Sequence, residues 1–82
     1  MLILRFLTNK DFMNTTTKIN GFTVTFMEYD DTNNCYIEKD DYSSSLALAE
    51  DFGGIENQQG NFLPINEPTL NKIILWAQSV GY

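Results

Sequence analysis

Asn66-Glu67-Pro68-Thr69-Leu70-Asn71-Lys72-Ile73-Ile74-Leu75-Trp76-Ala77-Gln78-Ser79-Val80-Gly81-Tyr82 carries a start signal, an apolar stripe and a stop signal in one run. Leu70, Ile73, Ile74, Ala77 and Val80 follow the i, i+3, i+4, i+7 spacing that gathers side chains on one arc of a helix. Pro68 fits only a first turn, because it has no N–H to donate and presses Glu67 toward an extended backbone. Asn66 or Glu67 is then the N-cap, and Gly81 supplies the left-handed residue on which helices commonly end. The spacing therefore predicts a helix with one buried face, and such a face needs a second layer to cover it.

That layer is legible upstream. From Ile19 the period changes to two: Phe22, Val24 and Phe26 fall on one side, Thr23, Thr25, Met27 and Tyr29 on the other. Five turn-forming residues, Asp30-Asp31-Thr32-Asn33-Asn34, precede a second strand at Cys35-Tyr36-Ile37-Glu38-Lys39, so the two read as an antiparallel hairpin. Asp40 to Ser45 offers several N-caps ahead of Leu46-Ala47-Leu48-Ala49-Glu50-Asp51-Phe52, which Gly53-Gly54 ends. The apolar positions Tyr42, Leu46, Ala49 and Phe52, with Leu48 alongside, are expected to rest on the sheet. Phe62-Leu63-Pro64-Ile65 reads as a short strand, and Pro64 confines it to an edge or a strand end because it cannot donate to the ladder. The N-terminal Leu2-Ile3-Leu4-Arg5-Phe6-Leu7 reads as a strand or as part of an extension over residues 1–12, since Met13 with the polar Asn14-Thr15-Thr16-Thr17 looks like an alternative start. It lacks the basic flank and cleavage site of a signal peptide. The expectation is one α+β domain over residues 1–82, with an antiparallel sheet of three or four strands and two helices, near Ser43 to Phe52 and Pro68 to Val80, packed on one face.

At 82 residues the chain supports one core, and chains of this size bury only about 60–65% of their extended surface. No apolar run approaches the roughly 20 residues of a membrane span, so no membrane association is expected. The lone Cys35 cannot form an internal disulfide, which favours a reducing, cytoplasmic setting. The chain has no histidine, and so lacks both the usual general base and the commonest zinc ligand. The formal charge is −6, and the acids crowd between Ile19 and Asn71, where Lys39 is the one base. Such a surface repels phosphate backbones, disfavouring direct nucleic-acid binding, and suits a basic protein partner.

Few features point to chemistry. Asp30, Thr32, Asn34, Tyr36, Glu38 and Asp41 share the spacing of an EF-hand calcium loop. Cys35 stands where that loop bends on glycine, Asp41 where it needs a bidentate Glu, and the flanks read as strands, so a solvated hairpin tip is the reading. The acid pairs Asp30-Asp31, Asp40-Asp41 and Glu50-Asp51 have no nucleophile, metal cluster or phosphate loop beside them. Neither a catalytic residue nor a cofactor is assigned. Leu75 and Trp76 lie off the main stripe of the last helix, Leu75 nearly opposite it, and they are candidates for contact with a partner or a second copy, which makes a homodimer one reading.

With the last helix and its ending Trp76-Ala77-Gln78-Ser79-Val80-Gly81-Tyr82, the chain resembles the small orphan proteins of mobile DNA, such as those of integron gene cassettes and phages. The resemblance implies a bacterial cytoplasmic setting and an accessory role acting on another protein, one form of which is an acidic mimic of DNA on a host enzyme. The function expected is a non-enzymatic interaction protein that presents Asp30, Asp31, Asp40, Asp41, Glu50 and Asp51 with the Leu75/Trp76 edge. The alternative expectation is a small-ligand module with a pocket lined by Phe22, Phe26, Tyr36 and Phe62.

Overall fold

The computed structural model describes residues 13–29 and 32–82. In chain order the elements are β1 (Met13–Ile19), β2 (Phe22–Tyr29), β3 (Thr32–Lys39), β4 (Tyr42–Ser45), α1 (Leu46–Phe52), β5 (Gly54–Glu56), β6 (Phe62–Pro64) and α2 (Glu67–Val80). Every neighbouring strand pair is antiparallel and the spatial order is the chain order, a meander of six strands. The α+β class and the two helices are as expected from the sequence. The strand count is corrected from three or four to six among the described residues. The strand expected at Leu2 to Leu7 lies outside the described residues, as do Asp30 and Asp31.

The extra strands arise where the pattern is polar or short. The run that looks like an alternative start is a strand, the outermost of those described: Thr15, Thr16 and Thr17 pair with Phe26, Thr25 and Val24 of β2. Threonine is at home in a strand because its branched β-carbon suits the pleat. Asn20-Gly21 joins β1 to β2 with φ of 50° and 90°, the two positive angles of the hairpin turn whose twist matches its strands. Asp40, with φ of 54°, opens the two-residue turn that lets Lys39 pair with Tyr42. The first helix, expected from near Ser43 with Tyr42 among its apolar positions, starts later: Tyr42 to Ser45 continues the sheet because it pairs with β3, and α1 begins at Leu46. Ser45 is the N-cap that the serine run offered, its Oγ accepting from the Leu48 N–H at 3.3 Å. Gly53 closes α1 with φ of 74° and donates its N–H to the Ala49 carbonyl at 2.8 Å. Gly54 then enters β5. A Cβ at that position would come within van der Waals overlap of the Leu63 carbonyl and the Phe62 ring, so the β5–β6 pairing needs a glycine there.

The period-two reading of β2 holds. Val24 opposes Ile37 and Phe26 opposes Cys35, all four buried, while Thr23 and Thr25 alternate to the other face. Leu46 and Ala49 from α1, Ile55, Ile65, and Ile73 and Ala77 from α2 join them in one core cluster, so both helices bury against the same face of the sheet. Burial of each such aliphatic side chain stabilises the fold by about 1.5–3 kcal/mol.

The helix α2 is held at both ends. The Oδ1 of Asn66 accepts from the Thr69 N–H at 2.9 Å, and Pro68 occupies the first turn. The Thr69 hydroxyl accepts in turn from the Asn20 side chain at 2.8 Å, which fastens the helix start to the β1–β2 turn. At the other end the Tyr82 N–H returns to the Ala77 carbonyl at 2.9 Å and the Gly81 N–H to the Gln78 carbonyl at 3.3 Å, the paired bonds of a Schellman ending. A Cβ on Gly81 would sit 3.3 Å from the Phe26 ring, so the helix end lies directly over β2.

Candidate contact surface

The helix α1 is too short to bury two stripes. Leu46 and Ala49 fall on one arc and Leu48 and Phe52 on another, about 110° round the helix at 100° per residue. The sheet takes the first pair. The second pair, expected on the sheet as well, turns outward: Leu48 is 50% and Phe52 68% exposed. Phe62 on β6 is 46% exposed, and these three side chains line one cavity of about 200 Å³ with Ser44, Gly54 and Ile55. The cavity lies where β4 and β5 part company, since Ser43 and Glu56 are their register partners and the chain turns into α1 directly after Ser45.

A second, open hollow of about 580 Å³ adjoins it and shares Ser43 and Glu56. Its other walls are polar: Asp41, Asn57, Gln58 and Gln59. Asn57 organises this wall. Its Oδ1 accepts from the N–H groups of Gln59 at 3.1 Å and Asn61 at 2.9 Å, the self-bracing habit of asparagine in turns. Its Nδ2 donates to the Asp41 carboxylate at 3.2 Å, tying the β5–β6 loop to the β3–β4 turn. Its main-chain groups also close the loop, donating to the Asn61 carbonyl and accepting from the Gly60 N–H, each at 3.1 Å.

The residues singled out in the sequence are dispersed. Leu75 is 65% exposed, but its neighbours at i±3 and i±4 are Asn71, Lys72, Gln78 and Ser79, all polar and exposed, so it stands alone. Trp76 is half-buried and packs against the core, leaving the Leu75/Trp76 edge without a continuous apolar patch. Asp40, Asp41, Glu50 and Asp51 are exposed. Asp41 reaches the hollow, whereas Glu50 is felt at Tyr82 near the end of α2, where it helps burial push the phenol pKa up. The four aromatics of the expected ligand pocket do not meet. Phe22 and Phe26 are core, while Tyr36 pairs with Thr25 on the opposite face of the sheet and Phe62 lies at the α1–β5 cavity.

Burial drives the Cys35 thiol up to about 11, only partly offset by a backbone hydrogen bond from Tyr36. At neutral pH it is a protonated, 2% exposed side chain, inert as a nucleophile. Among the described residues no three Cys, Asp or Glu side chains gather as a metal site would require. No described helix is long and apolar enough to cross a membrane.

Sequence reasoning missed Glu56 and Asn57, and it singled out Phe62 for a pocket with Phe22, Phe26 and Tyr36 instead of for the cavity beside Leu48 and Phe52. The one available signal was the double stripe of α1, because a seven-residue helix with Leu46/Ala49 and Leu48/Phe52 on separate arcs cannot present both to one sheet. The molecule belongs to the class of α+β folds in which an antiparallel meander carries helices on one face. Comparison with protein-family models, with curated proteins and with solved structures gives no match.

Proposed function

We propose that the chain is a non-enzymatic protein-interaction module whose contact surface is the apolar cluster Leu48, Phe52 and Phe62. The observation that carries this reading is the convergence of three large exposed side chains on one cavity, in a molecule whose core is already complete on the other arc of the same helix. Exposed apolar side chains gathered in this way mark contact sites, while single ones such as Leu75 are ordinary. At about 200 Å³ the cavity is smaller than the pockets of about 300–1,000 Å³ that enclose small ligands, and it suits one anchoring side chain of a larger partner. Of the acids, Asp41 and Glu56 line the hollow beside the cluster while Glu50 acts at Tyr82, and the contact proposed is built on the apolar cluster.

The test compares affinity capture by the wild type with capture by the double variant Leu48→Ser/Phe52→Ser, with Leu75→Ser as control. Both double-variant positions are at least half exposed, so the fold should survive, as circular dichroism and thermal melting will verify. The expected result is loss of specific partners from the double variant alone. Retention of every partner by the double variant excludes the cluster as the contact surface.

A further inference from the structure

We infer that the partner of this surface is an extended peptide segment carrying a large apolar side chain and, two residues along, a lysine or arginine. The inference rests on the contact surface proposed above and assigns its occupant. The apolar cavity and the polar hollow share the Ser43–Glu56 register pair in their walls, so a ligand seated in one has the other alongside. Side chains two apart on an extended chain point the same way, about 7 Å from one another, which allows a single strand-like segment to fill both. The chemistry of the second half is set by its walls. Asp41 and Glu56 supply two carboxylates, while Ser43, Asn57, Gln58 and Gln59 supply neutral polar groups, and among the described residues no base lines the hollow. Asp41 already accepts from Asn57, which holds its carboxylate at the wall and leaves acceptor capacity for a cation.

The same charge argues against a second copy as occupant. The chain carries −6 overall, and two copies docked through this face would bring Asp41 and Glu56 up against one another's acidic surface. A cationic segment gains from that field, most of all at low ionic strength.

The experiment titrates the isotopically labelled full chain with three capped pentapeptides and follows backbone amide shifts. The probes are Ser-Phe-Ser-Arg-Ser, its counterpart with Glu in place of Arg, and its counterpart with Ser in place of Phe. The Phe/Arg peptide is expected to shift the amides of Ser44, Leu48, Phe52, Ile55 and Glu56 more than either counterpart. Its advantage over the Phe/Glu peptide should shrink in about 0.5 M salt. The pair Asp41→Asn and Glu56→Gln should each lower the apparent affinity for the Phe/Arg peptide by roughly two- to fivefold, leaving Phe/Glu binding unchanged or improved. Asparagine at 41 keeps an acceptor for Asn57, so a loss there reads charge and not loop structure.

Equal shifts from Phe/Arg and Phe/Glu would overturn the cationic occupant while leaving the apolar contact surface standing. Absence of shifts around Leu48, Phe52 and Ile55 with both Phe peptides would remove that surface itself. A response to the Ser/Arg peptide as large as to Phe/Arg would reduce the site to non-specific charge attraction. A concentration-dependent dimer by light scattering, abolished by Phe52→Ser, would replace the peptide with a second copy of the chain.

Discussion

Cys35 shows how one buried side chain writes a pH dependence into the whole fold. Its thiol titrates near 9.0 when solvated and near 11 in the folded chain, because burial penalises the thiolate. A raised acid means that the folded state keeps its proton where the unfolded state has lost it, so stability is complete below pH 9 and falls as pH rises toward 11. The loss from this group should accumulate to roughly 2 to 3 kcal/mol by pH 11. Urea unfolding between pH 8 and 11 in the presence of reductant will read it as a falling midpoint. Cys35→Ala should start less stable, because it opens a small cavity, and show a shallower decline. Some slope should survive through Tyr82, whose phenol is raised in the same sense, and Cys35→Ala/Tyr82→Phe should flatten it further. An unchanged slope in Cys35→Ala would place the alkaline sensitivity elsewhere. The burial of Cys35 was legible only indirectly: it follows from the alternation Cys35-Tyr36-Ile37, which puts Cys35 and Ile37 on the face opposite Tyr36.

Among the elements, legibility tracked the length and contrast of each apolar pattern. The helix α2 could be read from cap to cap because Asn66, Pro68 and Gly81 each have one conformational preference and the stripe between them runs four turns. The strands β2 and β3 declared themselves by alternating apolar and polar residues across a buried sheet. By contrast β1 had no such contrast: its run Asn14-Thr15-Thr16-Thr17 holds no apolar residue, and its threonines read as a polar leader. The missed signal was the Asn20-Gly21 pair, a hairpin turn that demands a strand on its upstream side. The strands β4, β5 and β6 hold three or four residues each, too few to display a period, and they exist because tertiary pairing and the Asn57 loop hold them. Asn57 should therefore matter more than its surface position suggests. Replacing it with alanine removes two acceptor bonds within the loop and one donor bond to Asp41, and the expected cost is about 1–2 kcal/mol after water replaces part of them. Asp41→Ala, which loses the inter-turn bond alone, should cost less. Denaturant midpoints for the two variants give the order, and hydrogen exchange should show the loosening in β5 and β6 before β2 and β3. Equal costs would mean that the tie between the two turns, and not the loop itself, is what Asn57 supplies.

At the scale of the whole molecule, the same surplus of negative charge acts on the fold and on the proposed contact with opposite signs. Folding gathers the acids of a chain with net charge −6 into a volume where their separations are comparable to the Debye length, so they repel one another more than in the unfolded chain. Salt screens that repulsion. Raising sodium chloride from about 20 mM to about 0.5 M should raise the melting temperature, by a few degrees for each kcal/mol of repulsion relieved in a domain of this size. The contact with a cationic segment depends on an attraction between Asp41, Glu56 and the partner, and the same salt step should weaken it. A protein that melts higher while binding less over one salt series separates the solubilising role of the charge from its role in recognition. Melting curves and peptide titrations on one set of buffers supply both readings. If melting temperature and affinity rise together, hydrophobic contact alone holds the partner, and the acids around the hollow serve the chain only by keeping it apart from its own copies.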